Sequence, residues 1–286
     1  MYPAAFDYHR PGSVQDVIQI LKDDPEAKII AGGHSLLPAM KLRLAEPGSL
    51  VDISGISDLK QLSVNGGATI GAMVTYDEVI NSADIKAKFP VLHEAAAWVG
   101  DIQVRNRGTI GGSAAHADPA ADTSAALLAL DAEFVAAGAS GERTISASDF
   151  FVDIFTTALE PEEVLTQIKL TAPEGNVVSA YEKFPHPASG YPVCGVAVVV
   201  TRDGSGNVSS ARIAATGSVY VATRLTGAEE ALTGTAGDSA AVEAAAAKAA
   251  DGVSEFAGDH YASAEYREHL TRVFVKRALN RALGNS

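Results

Sequence analysis

The chain has 286 residues, 35 acidic against 22 basic side chains, and a formal net charge of −13, with 47% hydrophobic but only 6% aromatic content. That length calls for two or three compact units, and the apolar content is too high for a disordered chain. The negative charge argues against a nucleic-acid partner, which would need clustered Lys and Arg, and the single cysteine, Cys194, neither closes an intrachain disulfide nor supplies the ligands of an iron–sulfur cluster.

In chain order, Val14, Val17, Ile18 and Leu21 recur at helical spacing behind Ser13, which predicts a short amphipathic helix with Ser13 as its N-cap. Residues 27–31 read as a buried strand running into Gly32 and Gly33, and residues 50–54 as a second strand. Alternation over 61–64 and 68–72, around Asn65, Gly66 and Gly67, predicts a hairpin. Thr75 and Glu78 have capping-box spacing, so a helix is expected to about Lys86, and Pro90 suits the first turn of another. Residues 119–130 read as helix, and 133–137 with 142–145 as a second hairpin. Further on, 193–201 reads as a central strand with 208–216 as its antiparallel neighbour. An Ala-rich helix is expected over 239–256 and a last helix over 263–283. Lys276, Arg277 and Arg281 in its final turns are read as dipole compensation on a solvated face. Turn-forming residues place boundaries near 55 and 177, giving units 1–55, 56–176 and 177–286 in a mixed α+β order. No run reaches the length of a membrane-spanning helix and no leader pattern opens the chain, so a cytoplasmic protein is expected.

Two glycine-rich segments carry the chemistry. The first, AGGHSLLPAMK from Ala31 to Lys41, follows an apolar strand, so Gly32 and Gly33 can turn sharply and expose backbone N–H groups to an anion, with His34 and Ser35 as side-chain donors. The second, RNRGTIGGSAAHADPAAD from Arg105 to Asp122, repeats the device with Gly108, Thr109, Gly111, Gly112 and Ser113, and ends in two acceptors, Asp118 and Asp122. Two donor-rich bends suit a diphosphate, and a dinucleotide is the natural guest. Neither segment is a G-x-G-x-x-G dinucleotide fingerprint or a nucleotide-triphosphate loop. His34 and His116 have no companion ligand at metal-binding spacing, so no metal site is expected. Cys194 is expected to be a buried core thiol.

These segments, together with FDYHRP, VDIS, IGAMVTY, TTALEPEEVLT, AYEKF and SAEYREHL, resemble the flavoprotein subunits of the molybdenum hydroxylases, the carbon monoxide dehydrogenase and xanthine dehydrogenase type, over essentially the whole chain. The resemblance implies an α+β fold of the PCMH or vanillyl-alcohol-oxidase type, with non-covalent FAD between the first two units and a C-terminal sheet-plus-helices domain. It implies that Ala31, Gly32, Gly33, His34, Ser35 and Leu36 hold the cofactor together with Thr109, Ile110, Gly111, Gly112 and Ser113. Asp122 would contact the flavin side, Leu165 and Lys183 would lie beside it, and Tyr191 would sit in a loop approaching the ring. The surroundings of Tyr191, PHPASGYPV, differ from those in carbon monoxide dehydrogenases, which leaves the substrate of the complex open.

The resemblance further implies an electron-transfer subunit that takes electrons from an iron–sulfur subunit and passes them to an external acceptor. Molybdopterin and [2Fe-2S] clusters would reside only in a large and a small partner subunit, the whole forming a dimer of heterotrimers. A cation at Lys183 beside the ring would favour the reduced flavin. Two other readings stay open: a stand-alone flavin oxidase, and a docking subunit that has lost its flavin.

Overall fold

Val17, Ile18 and Leu21 are buried on one face of the helix Val14–Asp23, and the Ser13 side chain accepts from the Asp16 amide as its cap, in a computed structural model that describes residues 1–285. This helix covers three short parallel strands in the spatial order Asp7–His9, Ser49–Asp52, Lys28–Ile30. Two of the three are the strands read from the sequence; Asp7–His9 and the six-residue helix Leu36–Lys41 are additions. Pro38 sits inside that helix without conflict because the first turn needs no N–H from it. Lys28–Ile30 is not the buried strand expected: Lys28 is exposed and both isoleucines are half-buried, because the strand is an edge that opens onto a cavity.

The second sheet is antiparallel, in the order Leu62–Val64, Gly67–Gly71, Val164–Thr171, Glu133–Gly138, Gly141–Ser146. Both expected hairpins are there, with Gly66 at φ +76° in the first turn. The strand that joins them, Val164–Thr171, comes from late in the unit and was not read from its sequence. The helix expected from Thr75 to about Lys86 is two helices, Tyr76–Asn81 and Ala83–Lys88. Thr75 and Glu78 form the capping box, and Ser82 leaves helical geometry to accept from the Ile85 amide, so a side-chain acceptor restarts the helix. Pro90–Trp98 starts on its proline as expected. Asp122–Ala129 begins three residues later than expected, because Ala117 is left-handed and the Asp118 carboxylate accepts from the Ala120 amide, folding 118–121 into a turn.

The third sheet runs Asn176–Pro185, Pro192–Arg202, Val208–Thr216, Thr223–Arg224, all antiparallel. Pro192–Arg202 is apolar at almost every position because both of its faces are covered. Val196, Val198 and Val200 pack into the core shared with Thr226–Leu232, Ser239–Ala247 and Ala264–Leu283, while Ala197 and Val199 pack into the core of the second sheet's unit. The Ala-rich helix stops at Ala247 rather than 256, where Ala249 to Gly252 fold back as turns, Gly252 at φ +85°. Cys194 is fully buried and its thiol is pushed up to about 11 by burial. Among the described residues no helix is long and apolar enough to cross a membrane.

The basic end of the last helix is not simply a solvated face. Arg281 donates to Glu94 at 2.5 Å and to the Tyr181 carbonyl at 2.7 Å, and pairs with Glu182 at 2.9 Å. It therefore ties the last helix to Pro90–Trp98 of the preceding unit. Earlier in the same helix, the buried Arg267 donates to the carbonyls of Val193 and Gly217 and pairs with Asp259.

The Asp259 carboxyl is held below its ordinary value by the amides of Ala262 and Tyr261, then by Arg267, and Glu163 is held low chiefly by Arg143. A carboxyl lowered on folding contributes stability above its unfolded value and loses it as the pH falls through the folded one. The urea midpoint is therefore expected to drop once the pH falls below about 4, with a shallower drop in Asp259→Asn. Superimposable pH curves for parent and variant would show that this carboxylate contributes nothing.

Candidate functional site

Gly32 and Gly33 end the edge strand Lys28–Ile30, and the bend they make lies directly against the second glycine segment. A Cβ on Gly32 would come within 2.1 Å of the Arg107 carbonyl oxygen and 2.9 Å of the Gly108 Cα, so only glycine permits this approach. Gly33 adopts φ +76°, and a Cβ on Gly112 would meet the Ala31 Cβ at 3.3 Å. The two bends that the sequence singled out thus touch.

They border one cavity of about 540 Å³ between the first and second sheets, within the range of small-molecule sites. Of the residues expected at a cofactor, the first bend contributes Ala31, Gly32, Gly33, His34, Ser35 and Leu36 to its lining. The second contributes Thr109, Gly111, Gly112 and Ser113, followed by Asp118 and Asp122; Leu165 and Tyr191 complete the set. Ile110 and Lys183 do not line it. Ile110 is fully buried in the core of the second unit, the unavoidable inward position of the helix Ile110–His116.

The bends are not equivalent donors. Among the described residues, the N–H groups of Gly32, Gly33, His34, Ser35 and Leu36 donate to no protein acceptor. The Ser35 hydroxyl makes no capping bond, and the exposed His34 turns its Nδ1 to the Gly32 carbonyl. In the second bend, by contrast, Ile110 donates to the Val74 carbonyl, Gly111 to Ala72, Gly112 to the Thr109 hydroxyl and Ser113 to the Thr109 carbonyl. Among the described residues the Thr109 amide also donates to no protein acceptor, so the second bend keeps one free amide where the first keeps five. The second is a capped helix start, and its glycines serve close packing: a Cβ on Gly111 would lie 2.5 Å from the Ala72 Cα.

Asp122 opens the helix Asp122–Ala129 with its side chain almost wholly buried at the cavity wall. Tyr181 donates to one oxygen at 2.7 Å, and Lys183 donates to the other at 2.9 Å and to the Trp98 carbonyl at 3.1 Å. Lys183 is neither exposed nor at the cavity surface; it stands behind Asp122, its ammonium 5.7 Å from the centre of the Trp98 ring. Burial pushes the Asp122 carboxyl up, while Lys183 and Tyr181 pull it down. The Tyr181 hydroxyl is pushed far up by burial and by the adjacent carboxylate. Tyr181 and Lys183 both lie on Asn176–Pro185, so the third sheet holds the carboxylate that the second unit presents.

Several lining residues were not singled out from the sequence. Tyr76 packs its ring against Gly108, and burial pushes its hydroxyl up to about 12. Phe155, Leu159, Pro161, Glu163 and Val164 come from the connection into Val164–Thr171. Its TTALEPEEVLT motif was visible, but nothing in residue type or spacing said that it folds over the cavity.

Residues 4–173 match the family described as the FAD binding domain in molybdopterin dehydrogenase, and residues 179–282 match the CO dehydrogenase flavoprotein C-terminal domain. The carbon monoxide dehydrogenase medium chain of Hydrogenophaga pseudoflava is 41% identical, covering 99% of this chain and 98% of its own. The 6-hydroxypseudooxynicotine dehydrogenase complex subunit alpha of Paenarthrobacter nicotinovorans is 37% identical, covering 99% and 96%. The solved structure of the Hydrogenophaga pseudoflava carbon monoxide dehydrogenase that lacks the Mo-pyranopterin moiety contains a chain that superimposes with a TM-score of 0.94, at 42% identity and 99% coverage of both chains.

The buried pair makes a quantitative test. Lys183→Met leaves Asp122 without its cation and is expected to cost about 3–5 kcal/mol in urea unfolding. Adding Asp122→Asn should recover part of that loss, so the two changes together cost less than their sum. Simple additivity would show that the two side chains are not coupled.

Proposed function

Because the chain belongs to the FAD-binding flavoprotein subunits of the molybdopterin dehydrogenases, of carbon monoxide dehydrogenase type, we propose that it takes electrons from an iron–sulfur partner subunit and passes them to an external acceptor. The observation that carries this reading is the row of five unpaired amides, Gly32 to Leu36, on a cavity that the adjoining second glycine bend also lines. A diphosphate supplies the acceptors that such a row lacks. The cavity also has room for a ligand larger than a phosphate, so the residues present fit FAD.

When bound, FAD supplies electron exchange singly or in pairs. The chain's own residues bind and orient. The amides of Gly32 to Leu36 and the Ser35 hydroxyl receive the diphosphate, with Thr109 and Ser113 adding hydroxyls from the other side. Gly111 and Gly112 keep that wall low. Asp118 and Asp122 accept from N–H and hydroxyl donors, and Leu165 and Tyr191 give apolar contact. Lys183 and Tyr181 hold Asp122 in place from behind by donating to its two carboxyl oxygens. A molybdenum-containing large subunit and an iron–sulfur small subunit complete the complex, which we read as a dimer of heterotrimers. The relatives serve complexes named for substrates as different as carbon monoxide and a hydroxylated pseudooxynicotine, so the substrate belongs to the partner that oxidises it.

The complex reconstituted with both partner subunits is expected to hold one FAD per copy of this chain. Gly32→Ala should weaken FAD at least about tenfold, since forcing the bends apart costs over 1 kcal/mol. Gly48→Ala, where a Cβ meets nothing within 4 Å, should not. Stopped-flow mixing with carbon monoxide, an aldehyde or an N-heterocycle should bleach the flavin only when the partners are present. Bleaching of the isolated chain by an organic substrate would establish a self-sufficient oxidase instead.

A further inference from the structure

Among the described non-glycine residues, Arg43, Ala117, Asp131 and Phe155 have positive φ, and two of them meet: the Phe155 amide, at φ +52°, donates to the carbonyl of Ala117, at φ +49°, over 3.2 Å. For a bulky aromatic residue this conformation is a genuine outlier, kept only where surroundings or function demand it. Folding gains little from this ring in return, since Phe155 is 57% exposed, while its three phenylalanine neighbours in the chain's core, Phe134, Phe150 and Phe151, are buried against one another.

The surroundings fix the ring rather than hide it. Phe155 lies at the tip of a two-stranded ribbon, Phe151–Asp153 paired with Thr156–Thr157. Asp153 accepts from the Ile154 amide at 2.7 Å, and the Thr156 hydroxyl donates to the Ile154 carbonyl at 3.1 Å, so the turn is closed on both sides. The ring stands 5.0 Å from that of His116, tilted by 36°, and both residues line the cavity. An aromatic face held in place, open on one side and bordering a ligand cavity is a stacking surface.

We infer that Phe155 is a cofactor-stacking residue, its ring covering one of the two aromatic ring systems of FAD. This rests on the proposed FAD site and adds to it a contact that no glycine bend supplies. The left-handed backbone is the device that turns the side chain toward the cavity; a right-handed residue at the same tip would aim it elsewhere.

The test uses the full chain assembled with its two partner subunits, with FAD affinity as the readout, and the FAD-free chain for thermal unfolding. Phe155→Ala and Phe155→Gly are both expected to weaken FAD by about tenfold or more, in line with the loss of one stacked ring, while Phe155→Tyr binds like the parent. Phe155→Gly also relieves the backbone, so the Tm of its FAD-free chain should equal or exceed that of Phe155→Ala. If ADP competes less well in the variants, the ring covers the adenine; if ADP is unaffected while FAD weakens, it covers the isoalloxazine. Phe155→Gly holding FAD as tightly as the parent would overturn the inference, as would equal loss in Phe155→Tyr, or a defect confined to subunit assembly. A parent complex that takes up no FAD would instead refute the site itself.

Discussion

The absence of a Cβ at Gly32 lets two bends, some 75 residues apart in sequence, come into backbone contact, and the cavity exists because they do. The first sheet ends on one side of this contact and the helix Ile110–His116 starts on the other. The first bend is pressed against the second, yet its amides from Gly32 to Leu36 donate to no protein acceptor among the described residues. In the second bend the amides of Ile110, Gly111, Gly112 and Ser113 are held by Val74, Ala72 and Thr109, which fixes that bend as a helix start.

A second constraint joins this cavity to the rest of the chain. Asp122 is presented by the second unit but held by Tyr181 and Lys183 of the third sheet, and the backbone of Tyr181 is in turn fastened by Glu94 and Arg281. Tyr191, from the loop between the sheet's first two strands, reaches the same cavity. The C-terminal domain is thus a structural part of the site, and its two-sided sheet explains how: one face carries its own helices, and the other packs on the unit that lines the cavity. A pair as buried as Asp122 and Lys183 is weak evidence for stability as such, but it fixes geometry, because neither partner can leave without stranding a charge.

Much of the local structure could be read residue by residue. Ser13, the Thr75–Glu78 box, Pro90 and the turn at Gly66 announced their elements, because caps and turns are short-range chemistry. The misreadings have equally local causes. Ser82 interrupts what looks like one helix by capping a new one, and the Asx turn at Asp118 delays the start of another. Lys183 was expected as a cation beside the ring and is a buried counterion of Asp122; Arg281 looked like a solvated charge and is a clamp between units. In both cases the partner lies far along the chain, at Asp122 and Glu94, where spacing carries no signal.

The sequence by itself determined the two glycine bends, the family they point to, and the mixed α+β order, since each depends on residue type over a few neighbouring positions. Only the tertiary structure decided how many amides each bend keeps free, that Val164–Thr171 inserts between two hairpins, that Lys183 stands behind Asp122, and that Phe155 lines the cavity from a left-handed turn. The physical reason is the same throughout: whether a donor, a charge or a ring is available depends on what the chain brings against it from a distance, and hydrogen bonding and burial are settled there.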